Sequence, residues 1–274
     1  MYKFCFFNGK IHPANNPRID LNDLGVIRGY GIFDYLRTYN GKPFLLDKYI
    51  ARFQNSAKQM QLPLPYSELE LAGIVNELLA KNKIAEAGIR FVITGGVSED
   101  NYNIGKPVFY ILIEDVHTYP DKWYKEGIKL MTHDHCRVFP EIKLTNYITA
   151  IRLQPVLRQK EMHDILYIYD NKVLETTRSN FFIFKNATLI TPENNVLIGR
   201  TRNCILDLAK NDFKIEQRDI EKVELSEADE AFITSSSQKV MPVVKIDDIL
   251  VGNGKVGANT RRVMELFDKF TNAY

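Results

Sequence analysis

The sequence has no apolar run approaching the ~18 residues a membrane-crossing helix requires, so a spanning segment is not expected. It has almost no charge surplus: 36 Lys and Arg stand against 34 Asp and Glu, for a net +2. That balance removes any global attraction to nucleic acid or to an anionic membrane. Cysteine is scarce. Cys5, Cys136 and Cys204 lie far apart, without the spacing of a metal site or a disulfide framework, and read as reduced thiols of a cytoplasmic protein. Internal repeats are absent, and Gly and Pro are scattered, which excludes solenoid, collagen-like and low-complexity architectures. A dinucleotide fingerprint is missing as well. Gly29-Tyr30-Gly31 has neither the third glycine nor a following helix.

What is present is an ordinary globular composition, 45% apolar and 26% charged, over 274 residues, which is comfortable for two domains. The apolar start ends at an Asn8-Gly9 turn, too early for a signal sequence, and predicts an edge strand. Runs 35–39 and 43–46 flank Asn40-Gly41, a hairpin signal. Asp47 is placed to cap a helix running to about Met60, with Tyr49, Phe53, Ala57 and Met60 on one face. Ser67-Glu68-Leu69-Glu70 reads as a capping box for a second helix. Runs 89–94 and 108–113 are apolar and β-branched, the mark of central strands. These elements define a small N-terminal domain over 1–116, with a linker over 117–124 around Pro120. The larger domain, 125–274, is predicted to hold strands at 128–132, 165–169, 181–184, 231–234 and 243–246, and helices at 146–160, 201–210 and 257–270. Strands and helices mix without a regular βαβ alternation, which predicts an α+β fold.

Two segments carry chemistry. Glu141-Ile142-Lys143-Leu144-Thr145-Asn146-Tyr147 sets a lysine between apolar neighbours at the mouth of the expected helix. A desolvated amine has a lowered pKa and becomes nucleophilic near neutral pH. Tyr147, four residues on, would reach the same side of that helix. Downstream, Glu175 opens Thr176-Thr177-Arg178-Ser179-Asn180, whose small residues are expected to leave backbone N–H groups for anions. An aldehyde-condensing lysine followed by a carboxylate is the equipment of a pyridoxal phosphate enzyme, the carboxylate keeping a pyridine nitrogen protonated. Three further places suit a phosphate: the turn Gly199-Arg200-Thr201 before a helix, the hydroxyls of Ser235, Ser236 and Ser237 after an apolar strand, and Arg52, on the helix face away from Phe53 and Ala57. A substrate carboxylate calls for arginine. Arg28 precedes the hairpin, Arg90 interrupts an apolar strand, and Arg178 lies in the turn after Glu175, while Tyr30 and Phe33 are candidates to line a side-chain pocket.

In this order, Arg52, Lys143, Glu175, Gly199-Arg200-Thr201 and Ser236, the chain resembles the class IV aminotransferases, the fold-type IV pyridoxal phosphate enzymes. That family includes D-amino acid aminotransferases, branched-chain aminotransferases and aminodeoxychorismate lyases. The resemblance implies a small N-terminal α/β domain and a larger domain with a β-barrel-like core, assembled as a homodimer. It also implies Lys143 as the cofactor-linking lysine and Glu175 as the partner of the pyridine nitrogen, with Arg52, Ser179, Arg200, Thr201 and Ser236 at the phosphate and Asn180 within the family's Glu-then-Asn motif. The implied activity is ping-pong transfer of an amino group between an amino acid and a 2-oxo acid. Branched-chain members usually carry tyrosine where Arg28 stands. Members acting on D-amino acids carry an arginine and a histidine in the loop where this chain reads Gly95-Gly96-Val97-Ser98-Glu99-Asp100-Asn101. Arg28 and Arg90 gripping one carboxylate favour D-amino acids, with D-alanine, D-glutamate and 2-oxoglutarate as test substrates. L-branched-chain transamination and a lyase releasing pyruvate are the alternatives.

Overall fold

A computed structural model describes residues 2–274. The chain divides into two compact units. One holds the chain up to His117 together with Ile142–Asn146 and Tyr274, and the other holds Thr118–Glu141 and Tyr147–Ala273.

The first unit is built from strands β1 (Phe4–Phe7), β2 (Lys10–Pro13), β3 (Gly31–Tyr39), β4 (Lys42–Pro43), β5 (Gly88–Val97) and β6 (Lys106–Glu114), with helices α1 (Leu24–Ile27), α2 (Leu46–Gln59) and α3 (Glu68–Asn82). The strands form one antiparallel sheet in the order β2-β1-β6-β5-β3-β4. The predicted edge strand at the N-terminus therefore lies inside the sheet. Its hairpin partner β2 takes the edge, because β1 also pairs with β6. Alternation decides the faces. Ile32 and Leu36 of β3, Ile89, Phe91 and Ile93 of β5, and Phe109 and Ile111 of β6 pack with Phe53 of α2 and Val75 of α3 in one core. Phe33, Tyr35, Arg90 and Glu114 occupy the alternate positions, facing the other side of the sheet.

Ser67 caps α3 as expected, with the reciprocal Glu70 bond in place. Asp47 does not cap α2. Leu45, at φ 50°, is the N-cap, and Asp47 sits in the first turn, where a negative charge still opposes the helix dipole favourably. Arg52, expected on the face of α2 away from the core, is buried beside Asp34.

The second unit begins with α4 (Asp121–Glu126) and β7 (Ile128–Asp134), followed by α5 (Ile148–Arg152) and α6 (Gln154–Gln159). The helix expected at 146–160 is thus two short ones. Pro155, in the first turn of α6, offers no N–H and would crowd the preceding turn, so the helix restarts at Leu153. Next come β8 (Asp164–Tyr169), β9 (Lys172–Thr176), β10 (Asn180–Lys185), β11 (Thr188–Thr191), α7 (Arg200–Ala209), β12 (Lys214–Gln217), β13 (Ile220–Glu221), β14 (Glu230–Ser235), β15 (Lys239–Ile246), β16 (Ile249–Leu250) and α8 (Ala258–Asn272). Pairing runs β10-β14-β15-β7-β8-β9 and returns to β10 through Asn180 and Glu175, which closes a six-stranded barrel. Ile128, Leu130, Leu166, Ile168, Phe181, Ile183, Ile233 and Met241 belong to its core. This is the barrel-like core of the expected α+β fold. The closing strand pair places Glu175 and Asn180 opposite each other.

Candidate active site

Lys143 belongs to the first unit. It lies on no helix. Its segment is laid against the start of β3: Phe33 N–H donates to the Lys143 carbonyl at 2.9 Å, Thr145 N–H donates to Gly31 O at 3.0 Å, and Leu144 bridges Ile32. The chain turns helical only after Tyr147, the N-cap residue of α5, so Lys143 and Tyr147 do not share the helical face expected for them. Lys143 is half-buried, and its amine stands 4.8 Å from the centre of the Phe33 ring.

The same ring receives a second cation. Arg90 lies 5.3 Å from the Phe33 centroid and 5.2 Å from that of Tyr35. Strand pairing explains the stack, since Tyr35 is the register partner of Arg90. Arg90 is one-third exposed and forms a two-point pair with Glu114 of β6, Nε to Oε1 at 2.5 Å and Nη2 to Oε2 at 2.9 Å. That carboxylate partner is why a charge is tolerated in an apolar strand. Arg28 is exposed, and its Nε donates to the Asn101 carbonyl at 3.2 Å. Tyr30 does not join Phe33. Its hydroxyl donates to the Met60 carbonyl at 2.8 Å and its ring packs on the core under α2, so the two aromatics serve different faces. Arg52 donates from Nε and Nη2 to the two oxygens of Asp34 at 2.8 and 2.7 Å, a buried fork-to-fork pair.

In the second unit Glu175, 4% exposed, is the centre of a polar cluster. One carboxylate oxygen accepts from the Leu197 N–H at 3.0 Å and from Arg137, and the other accepts from the Asn180 amide at 3.2 Å. Asn180 also donates to the Leu197 carbonyl at 2.7 Å, tying the acid to the loop that enters α7. Gly199 is the N-cap of α7, and a Cβ there would collide with the Asn180 side-chain oxygen, so only glycine fits. No side chain caps α7. Arg200 and Thr201 form its first turn, Thr201 being buried. Ser236 and Ser237 make the turn between β14 and β15, both half-buried. Tyr147 and Arg137 interact electrostatically. Burial works against the Arg137 charge, but Glu175 and Tyr147 hold its pKa above the ordinary value.

Two expectations fail here. The 176–179 turn is closed upon itself, Thr176 N–H donating to the Ser179 carbonyl at 2.8 Å and Ser179 N–H to Thr176 Oγ1 at 3.1 Å. The Ser179 hydroxyl is committed to Gln238 at 2.5 Å, so neither Ser179 donor is offered to an anion. Arg178, in that turn, is exposed. The sequence reading missed Arg137, Asp34 and Glu114, each the counter-charge of a residue it named. Asp34 had a signal, since alternation with Ile32 and Leu36 puts it on the core face.

These features fit pyridoxal phosphate. A buried carboxylate with three hydrogen-bond donors suits a protonated pyridine nitrogen, and the adjoining uncapped helix N-terminus suits a phosphate. No group of His, Cys, Asp and Glu able to hold a metal ion occurs among the described residues. Nor, among those residues, is any helix long and apolar enough to cross a membrane.

Residues 31–246 match the sequence model of the family Amino-transferase class IV. The chain is 33% identical to the D-alanine aminotransferase of Staphylococcus haemolyticus over 274 residues, covering 97% of this chain and 96% of that one. It is 30% identical to a Methanocaldococcus jannaschii protein provisionally named a branched-chain-amino-acid aminotransferase, over 96% of this chain and 94% of the relative. The structure superposes on a T.th. branched-chain amino acid aminotransferase with pyridoxamine 5′-phosphate at a TM-score of 0.92 and 21% identity, over 100% of this chain and 95% of that one. The chain belongs to the class IV aminotransferases, pyridoxal phosphate enzymes that move amino groups between amino acids and 2-oxo acids.

Proposed function

We propose that this aminotransferase acts on D-amino acids, with D-alanine and D-glutamate as donors and 2-oxoglutarate as acceptor. The observation that supports an α-amino acid substrate is the Phe33 ring flanked by two cations, the Lys143 amine at 4.8 Å and the Arg90 guanidinium at 5.3 Å. An amine that handles the α-proton and a guanidinium that grips the α-carboxylate must lie within one small substrate of each other. Their shared ring keeps them within about 10 Å, the sum of those two distances, and that span suits an amino acid.

When bound, pyridoxal phosphate supplies an electron-withdrawing ring that stabilises negative charge at the substrate Cα. Lys143 would hold the cofactor through its amine and would carry the proton to and from the substrate Cα as general base and acid. Glu175 would keep the pyridine nitrogen protonated, with Arg137 and Asn180 fixing the carboxylate. Tyr147 would donate to the cofactor's phenolic oxygen. Arg52, Arg200, Thr201, Ser236 and Ser237 are the residues that would hold the phosphate, to which the α7 N-terminus would add its N–H groups. Arg90 binds the α-carboxylate, with Arg28 as its second donor. The D-alanine aminotransferase relative supports the donor class. The free thiols Cys5, Cys136 and Cys204 suit a reducing cytoplasm, and a homodimer is the assembly we assign.

The test is a half-reaction screen with paired D- and L-amino acids, following loss of the bound cofactor's absorbance. Faster turnover of D-alanine and D-glutamate supports the proposal. Preference for L-leucine or L-valine replaces it with the branched-chain reading, and pyruvate release from aminodeoxychorismate without an acceptor replaces it with a lyase.

A further inference from the structure

Arg90 is not a bare receptor. Its Nε–Nη2 edge is held by both oxygens of Glu114, and its central carbon lies over the Phe33 and Tyr35 rings. A guanidinium has two edges suited to a carboxylate, the side edge made of Nε and one terminal nitrogen and the end edge made of both terminal nitrogens. With the side edge paired at two points to one carboxylate, the orientation of the guanidinium is fixed.

The geometry points to Glu114 as the residue that positions Arg90, so that a substrate α-carboxylate meets an already oriented guanidinium. This rests on the reading of Arg90 as the carboxylate receptor. Glu114 lies on β6 and Arg90 on β5, adjacent strands in which Arg90 is the register partner of Leu112 and Glu114 stands two residues further along the same sheet face. The pair is therefore built into the sheet and not into a loop. A long side chain loses rotamer freedom when it grips a ligand, and a partner that has already removed that freedom makes binding tighter. Glu114 also offsets the Arg90 charge, so the site attracts a carboxylate by directed hydrogen bonds more than by net charge. Carboxylate binding should consequently tolerate moderate salt.

The test compares Glu114→Ala, Glu114→Gln and Arg90→Ala holoenzymes. Two quantities are read: the KM and kcat for D-alanine against a simple primary amine, and the affinity for 4-methylvalerate, a carboxylate without an amine, by titration calorimetry. Glu114→Ala should raise the D-alanine KM and weaken 4-methylvalerate about tenfold, with kcat and the amine kinetics unchanged. Glu114→Gln keeps one acceptor for the Arg90 side edge and should fall between the wild type and Glu114→Ala. If Arg90→Ala abolishes carboxylate binding while both Glu114 variants bind as the wild type does, the positioning role is overturned and Arg90 keeps its own. If Arg90→Ala is also silent, the receptor reading falls and the inference with it. Equal losses toward amine and carboxylate in Glu114→Gln would mark general disruption and overturn it too.

Discussion

Asp34→Ala tests a contact on which both the fold and the cofactor assignment depend. Asp34 is 1% exposed and Arg52 is 8% exposed, joined by bonds of 2.8 and 2.7 Å, and Asp34 also accepts the Tyr35 N–H at 2.8 Å. Truncation removes the carboxylate that pairs with the buried guanidinium and the oxygen that accepts the Tyr35 N–H. Breaking a buried pair from one side costs about 3–5 kcal/mol, a large part of the roughly 5–15 kcal/mol by which domains are stable. At about 2–4 °C per kcal/mol for a chain of this size, melting should fall by roughly 6–20 °C.

The informative measurement is that fall in two forms, stripped of pyridoxal phosphate and saturated with it. If Arg52 binds the phosphate, the dianion takes over part of the lost carboxylate's role, and the loaded variant should lose less than the stripped one. Differential scanning fluorimetry of wild type and variant, each with and without cofactor, gives the four values required. An equal or larger loss in the loaded form would refute the phosphate role of Arg52. A loss under about 1 kcal/mol in the stripped form would refute the buried-pair argument itself.

Lys143→Ala should remove the absorbance band of covalently held cofactor while leaving the far-ultraviolet dichroism unchanged; a retained band would mean another amine holds the cofactor. Ser67→Ala deletes the α3 capping box and should cost about 1 kcal/mol in urea denaturation, with activity retained. Burial pushes the Asp164 carboxyl above its ordinary value of 3.8, with Thr177 and Ile165 opposing through hydrogen bonds to the same oxygen. A folded-state pKa raised above the unfolded one means stability that is present below the ordinary value and is lost as pH rises through the folded value. Asp164→Asn keeps an acceptor for both bonds and removes the charge, so it should flatten that loss in a denaturation series run upward from about pH 4 and match or exceed the wild type at neutral pH. A variant with an unchanged pH slope would contradict this.

Much of the fold was legible because the elements obey local rules. The Ser67 box, the apolar β-branched runs of β5 and β6 and the Asn40-Gly41 turn each act within a few residues, and the structure keeps them. The failures were also local in form but tertiary in cause. Asp47 looked like a cap until Leu45 took a left-handed backbone and started α2 ahead of it. Ser179 looked like an anion donor until its turn closed and Gln238, far along the chain, took its hydroxyl.

The candidate residues show the same division at the level of charge. Lys143, Glu175 and Arg90 were readable as residues because each breaks the polarity of its surroundings. Their partners were not, because a counter-charge is chosen by strand pairing and barrel closure and not by spacing in sequence. Arg137 reaches Glu175 from 38 residues away, and Glu114 reaches Arg90 from 24. Asp34 is the instructive exception, for period-two alternation with Ile32 and Leu36 already required a buried cation for it. Arg52, on the helix that packs on that same face, was a cation in search of an anion. Two charges that each look costly alone, on elements that must pack together, identify one another. Pairing such costs across predicted contacts reaches further into a site than reading either charge by itself.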